Sequence, residues 1–253
     1  MGEIMEIDMK DKIKMCIAII ILSIIIAVVF MIVIKYQLEG EKNMPYQLSK
    51  ITIISTAEGE QNTTNVDETS KWNLDIYQNN DIYFFIDKNE KAPKDSVINS
   101  LTIDNIQITK KPVKGNIETF MPNSLEGRTF TYNKDYIVEN KLEYKGGLTS
   151  NPKTLEIGNQ GGSAIIRFSN AGIGQFVSNE DDEIKHDGTL LTKIGVLEED
   201  VNFQVNFDLI LDISNIKYKS NITLDLPCED LSITGRSSKE ILNIQNFVFK
   251  RTK

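Results

Sequence analysis

The chain has 253 residues, 40% hydrophobic and 25% charged, with a formal net charge of -8. That balance excludes a disordered chain, which combines low hydrophobicity with extreme charge. It also excludes a nucleic-acid binder, which shows a basic face to phosphates. One histidine rules out a zinc site built from several imidazoles, and two cysteines, Cys16 and Cys228, are too few for a disulfide framework.

Residues 15–34 form an apolar run in which Ser23 is the only clearly polar side chain. At about 1.5 Å per helical residue the run spans roughly 30 Å, the thickness of a bilayer's hydrocarbon core. Isoleucine and valine dominate it, and in lipid the backbone must satisfy its own hydrogen bonds, so helix wins over their β propensity. The run continues into Lys35, Tyr36, Gln37, Leu38 and Glu39 without a small-residue cleavage pattern. Cys16 stands at its start, and Gly2 has Glu6 where a myristoylation signal wants Ser or Thr. The expectation is a retained transmembrane helix whose partner is the lipid bilayer. Lys10, Lys12 and Lys14 on the amino side outnumber Lys35 and Lys42 on the other. By the positive-inside rule, residues 1–14 are then a short cytoplasmic tail, 35–45 a linker and 46–253 an extracytoplasmic domain. Ser23 and Ala27 make a small-xxx-small pair, for which chance spacing is the plainer explanation.

Beyond the anchor the period is two. Val201, Phe203, Val205, Phe207, Leu209, Leu211 and Ile213 alternate with mostly polar residues, which predicts one strand with a dry and a wet face. After a Ser214-Asn215 turn, Tyr218, Ile222, Leu224 and Leu226 repeat the pattern until Pro227 stops it, so the pair reads as an antiparallel hairpin. Upstream, Trp72, Leu74 and Ile76 share a face, Asn79-Asn80-Asp81 reads as a turn, and 82–86 reads as a strand buried on both faces. Leu101 and Ile103 are out of phase with Ile106 and Ile108, which predicts a β-bulge at Asp104-Asn105. Weaker strands are expected at 47–55, 129–138, 154–158, 164–169 and 240–249, a polar loop at 57–71, and two helical turns at 189–197. The fold class is all-β: an antiparallel β-sandwich after a single transmembrane helix. It forms one body, or two subdomains split near 146–153, where Gly146-Gly147 leads to Pro152.

Three segments invite a chemical reading. The acidic stretch 179–188 offers Asp181, Asp182 and Asp187 to a hard cation. Aligning Gly188 with the turn glycine of an EF-hand loop puts Glu183, Lys185 and Asp187 at ligand positions, and the lysine spoils it. A solvated acidic loop is the simpler reading, and Asp87, Asn89 and Lys91 fail the same test. Asn159-Gln160-Gly161-Gly162-Ser163, with Gly172 and Gly174, lacks both the lysine of a P-loop and the helix that a dinucleotide loop enters, so it reads as β-turn chemistry. Asn62-Thr63-Thr64 and Asn221-Ile222-Thr223 match glycosylation sequons. No cofactor is expected.

The third segment is Cys228, at the end of a strong strand that carries Thr223-Leu224, with His186 upstream and Arg236 downstream. Locally this resembles a sortase, a membrane-anchored cysteine transpeptidase whose cysteine ends a strand in a T-L-x-T-C pattern. The resemblance implies Cys228 as nucleophile, His186 as acid and Arg236 as oxyanion stabiliser. Pro227 stands where the second threonine belongs, and an extra residue precedes the cysteine. As a whole the chain resembles the uncharacterised single-pass exported proteins of low-GC Gram-positive bacteria, through its Ile/Lys/Asn bias, amino-terminal anchor and β-rich remainder. That implies no activity. The expected role is a non-enzymatic binding or structural module of the cell envelope, with an envelope protein or polymer as partner and no nucleic acid. A cysteine transpeptidase and a cytosol-facing membrane-tethered regulator are the alternatives.

Overall fold

The computed structural model describes residues 9–62, 71–123, 130–147, 154–179 and 189–252. Contacts divide the chain into two units, Met1–Lys42 and Asn43–Lys253. The first holds one helix, α1 (Met9–Glu39), which is long and apolar enough to cross a membrane. Residues 35–39, expected in the linker, continue it. No Gly or Pro stands between the apolar run and Gly40, whose positive φ of 69° ends the helix.

The second unit is a sandwich of two sheets. Its strands are β1 (Tyr46–Gln61), β2 (Trp72–Lys88), β3 (Ile98–Lys110), β4 (Asn116–Phe120), β5 (Leu142–Gly146), β6 (Glu156–Ile157), β7 (Gly162–Ser178), β8 (Phe203–Ile213), β9 (Ile216–Leu226), β10 (Arg236–Ile241) and β11 (Lys250–Thr252). Short helices α2 (Thr189–Lys193), α3 (Glu198–Val201) and α4 (Leu231–Thr234) complete it. The first sheet runs β10-β1-β2-β7-β4 and the second β11-β9-β8-β3-β5-β6. Every pairing is antiparallel except β5 with β6. Segments from both sides of 146–153 lie in each sheet, so Asn43–Lys253 is one sandwich. At Gly146 the backbone passes so close to β3 that a Cβ would sit 1.8 Å from the Ile98 carbonyl oxygen.

The inner faces interlock. Phe84 of the first sheet meets Phe207 of the second edge-to-face at 5.6 Å, amid buried Ile51, Ile82, Ile166 and Leu209. Tyr144 of β5 reaches across to the Ile165 carbonyl on β7, and its hydroxyl accepts from the Ile165 N–H at 3.1 Å. The β8–β9 hairpin forms as expected, with both turn residues left-handed (Ser214 φ 48°, Asn215 φ 68°), the geometry of a type I′ turn. The β3 bulge also forms. Register slips between Asp104 and Gln107, and Asn105 takes φ 53°, which asparagine tolerates better than other side-chain-bearing residues. A second bulge on β1, between Leu48 and Lys50, moves the buried set from even to odd positions.

Sheet lengths explain the main departures from sequence expectation. β1, β2 and β7 have 16, 17 and 17 residues against 11 in β8 and in β9. At about 3.3 Å per residue the first sheet therefore overhangs the second by roughly 20 Å. The overhang is roofed by α2, α3 and α4, whose Leu190, Leu191, Val201 and Leu231 cover Leu74 and Ile76 in a second core. Val201 thus belongs to a helix, not to the strand. Leu190 and Leu191 need a single turn, so 189–197 holds α2 and then a loop.

Asn79-Asn80-Asp81 is no turn but the middle of β2. Asparagine favours turns by bonding its own backbone. Here its neighbours supply the bonds: the Ser55 hydroxyl donates to Asn80 Oδ1 at 2.7 Å, and Asn80 Nδ2 donates to the Phe168 carbonyl at 3.3 Å. With buried Gln78 and Asn170, these amides form a polar belt between the two cores.

Other expectations are corrected in detail. Residues 57–61, expected in a loop, extend β1 because buried Ala57 packs in the second core, and 63–70 lie outside the described residues. Along 82–86 burial alternates, leaving Tyr83 and Phe85 half-buried on the outer face. Within 129–138 stands a 3-10 turn, Lys134–Tyr136, capped by Asn133 Oδ1, with an isolated bridge from Ile137 to Phe120. Within 240–249 only Glu240 and Ile241, the end of β10, are strand; a 3-10 turn follows at Ile244–Asn246 and β11 starts at Lys250, because the chain crosses from one sheet to the other.

Candidate functional site

Pro227 has no N–H to continue the ladder, so β9 ends at Leu226 and the chain crosses to the first sheet. Cys228 makes the crossing. Its N–H donates to Ser55 Oγ at 2.9 Å, its Sγ–H to the Ile53 carbonyl at 3.6 Å, and its carbonyl accepts from Ser237 Oγ at 3.2 Å. The residue is 4% exposed. Burial pushes the thiol above its usual range, outweighing the bonds from Ser55 and Ser237. A neutral, enclosed sulfur is the opposite of an activated nucleophile, which is a thiolate open to substrate.

Arg236 begins β10 opposite Thr56, while the next residue, Ser237, faces Ser55 and Cys228. Strand alternation therefore puts the exposed Arg236 on the other face of the sheet from Cys228. A shallow groove of about 360 Å³ along the β10 edge touches both residues. His186 lies outside the described residues, as do Asp181, Asp182 and Asp187. Among the described residues no three His, Cys, Asp or Glu side chains converge on a common point.

Beside Cys228 a second cleft, of about 310 Å³, opens at the α3 end of the sandwich. Its walls carry charges of both signs, among them Glu198, Asp225, Glu229, Lys110 and Lys239. α3 forms where Asp200 Oδ2 accepts from the Leu197 N–H at 3.1 Å. That bond, with the Lys114 ammonium 3.2 Å away, holds the Asp200 carboxyl below its usual range.

The outer face of the first sheet holds a constellation that sequence reading missed. Asp81 and Arg167 are direct cross-strand partners in the β2–β7 register. The guanidinium grips the carboxylate twice, Nε to Oδ1 at 2.5 Å and Nη2 to Oδ2 at 2.8 Å, and donates from Nη1 to the Tyr132 hydroxyl at 3.0 Å. It stacks 4.2 Å from the Phe130 ring centroid. Tyr132 sets its ring edgewise to Tyr77 and Phe120, and the Tyr77 hydroxyl donates to Glu58 at 3.0 Å. Burial, then the nearby Glu58 carboxylate, drives the Tyr77 phenol upward, so it serves as a donor. Asp81 and Arg167 stand 86 residues apart, and only strand register joins them.

On the second sheet, the bulge aims Asn105 Nδ2 at Asp208 Oδ2 (2.7 Å), and Asn221 donates to Oδ1 at 3.1 Å. Asn221, the acceptor of the second sequon, lies exposed on β9 with its amide already bonded to Asn206 and Asp208. Asn62, of the first, donates to Asp75 at 2.9 Å. Gly172, from the glycine-rich stretch, sits in the β7 bulge at φ 70°.

Fold and site together define a helix-bearing β-sandwich whose cysteine is structural in environment. Compared with known proteins, the chain matches no family model, no curated sequence and no solved structure.

Proposed function

We propose that this chain is a membrane-anchored cell-envelope protein with a cytoplasmic amino terminus, whose extracytoplasmic sandwich is a binding or structural module. The observation that carries this reading is α1. Its large apolar side chains are exposed from Ile17 through Leu38, a surface suited to lipid. Lys10, Lys12 and Lys14 favour the exported orientation. Loops at the ends of a rigid sandwich are the usual places for recognition, and the partner would be an envelope protein or polymer. The enclosed, neutral Cys228 weighs against transpeptidation.

Alkaline carbonate extraction of membranes, with protease shaving of intact cells, tests the proposal. The chain should stay with the membrane, and its large unit should be cut from outside. Release by carbonate would refute the anchor. Protection of the large unit, in cells whose known surface proteins are cleaved, would instead favour the cytosol-facing regulator.

A further inference from the structure

Three of the most exposed apolar side chains of the sandwich unit gather around one turn of helix. Val113 is 78% exposed, Leu197 58% and Ile233 71%. Leu197 is the N-cap of α3. The Lys114 N–H, next to Val113, donates to the Asp200 carbonyl at 2.9 Å, and Ser232 Oγ, next to Ile233, donates to Glu198 at 3.3 Å. Both contacts are to residues of α3, so Val113 and Ile233 each adjoin a residue bonded to this helix, with Leu197 at its start. Nothing in the folding of the unit requires these three side chains to be apolar, because none reaches either core.

Position and charge add to this. The chain enters the unit at Asn43, and Tyr46 bonds Ser96 beside the β8–β9 turn. α3 stands at the other end of β8, 11 residues away, or about 36 Å along a strand. The apolar trio therefore occupies the end of the unit opposite its entry at Asn43. Among the described residues, Lys114 is matched with Asp200 at 3.2 Å and Lys239 with Glu229 at 3.9 Å, which leaves Lys110, in the cleft wall, and Lys111, two residues before Val113, as the unmatched cations nearby. Against those two cations, four carboxylates, of Glu198, Glu199, Asp225 and Asp230, have no ion-pair partner within 4.0 Å among the described residues, so acid is in excess. The 310 Å³ cleft opens beside Glu198.

We propose that this distal end is a docking surface for a protein segment whose apolar side chains cover Val113, Leu197 and Ile233 and whose Lys or Arg side chains meet the surrounding carboxylates. The acidic rim repels anionic lipid headgroups, which makes protein the occupant. The inference rests on the binding-module reading and gives it a site and a partner chemistry.

The test uses the full-length chain in its own membrane, in a Cys16→Ala background. Val113→Cys, Leu197→Cys and Ile233→Cys are each labelled with a benzophenone maleimide and photolysed in intact cells. Ile216→Cys, 40% exposed at the opposite end of β8, is the control. One adduct shared by all three positions and absent from the control is expected, and its crosslinked peptide should be rich in Lys or Arg with apolar neighbours. Glu198→Lys with Glu199→Lys should lower its yield about tenfold, the effect of roughly 1.4 kcal/mol at a charged rim. A lipid adduct, an acidic peptide or an adduct indifferent to charge reversal would overturn the proposal. An adduct from Ile216→Cys alone would overturn this site and leave the binding-module reading standing. Silence at all four positions would refute both.

Discussion

Asp81→Ala isolates the most consequential polar contact in the sandwich. The Asp81 and Arg167 side chains are 15% and 16% exposed, and two parallel hydrogen bonds join them. Removing the carboxylate leaves the guanidinium held by Phe130 and Tyr132 with no hydrogen-bonded anion, only the more distant Glu58 carboxylate, and breaking a buried pair this way costs about 3–5 kcal/mol. Some exposure remains, so the lower part of that range, about 3 kcal/mol, is the expected loss. For a unit of this size that lowers Tm by roughly 6–12 °C. Arg167→Ala should cost a similar amount by stranding Asp81. Replacing both at once, Asp81→Leu with Arg167→Met, should cost less than either alanine variant, because an apolar pair carries no desolvation penalty. Thermal unfolding of the full chain in detergent micelles, followed by near-UV circular dichroism, reads all three. If both alanine variants melt within about 2 °C of the parent, the pair is no more than a surface ion pair and the reasoning is wrong.

Three further outcomes follow from the same structure. Asn105→Ala should destabilise more than Asn105→Gly, because both lose the bond to Asp208 and only alanine also strains at φ 53°; the difference should be about 1 kcal/mol by chemical denaturation, and equal costs would remove the left-handed backbone from the explanation. Burial raises the Asp208 carboxyl, but bonds from Asn105, Asn221 and Lys219 outweigh it and hold the group below its usual range. Its contribution is therefore present above the unfolded value near 3.9 and is lost as pH falls through the lower folded value, so Tm measured from pH 6 to pH 2 should fall less steeply in Asp208→Asn. In a Cys16→Ala background, Cys228 should resist maleimide at neutral pH until the protein is unfolded; fast labelling of the native chain, followed by mass spectrometry, would contradict its burial.

Local rules made much of this protein readable from its residues. The apolar run reads as helix on the expectation of lipid, where a backbone has no other donors or acceptors to use, and it forms α1. The β8–β9 hairpin was legible from strict alternation broken by Ser214-Asn215, and the β3 bulge from a phase slip of one residue, because a period of two leaves no other way to keep Ile106 and Ile108 turned inward. What tertiary structure alone decided has one common cause, contact between residues distant in the chain. Asn79 and Asn80 carry a turn signature, yet they stay extended because Ser55 and Phe168 bond Asn80 from the flanking strands. Cys228 sits beside Arg236 in sequence but faces the interior, because Ile53, Ser55 and Ser237 close around it. Asp81 and Arg167 carry no local signal at all. Strand register, set by the summed burial of two sheets of unequal length, made them partners and left the longer sheet's end for three short helices to cover.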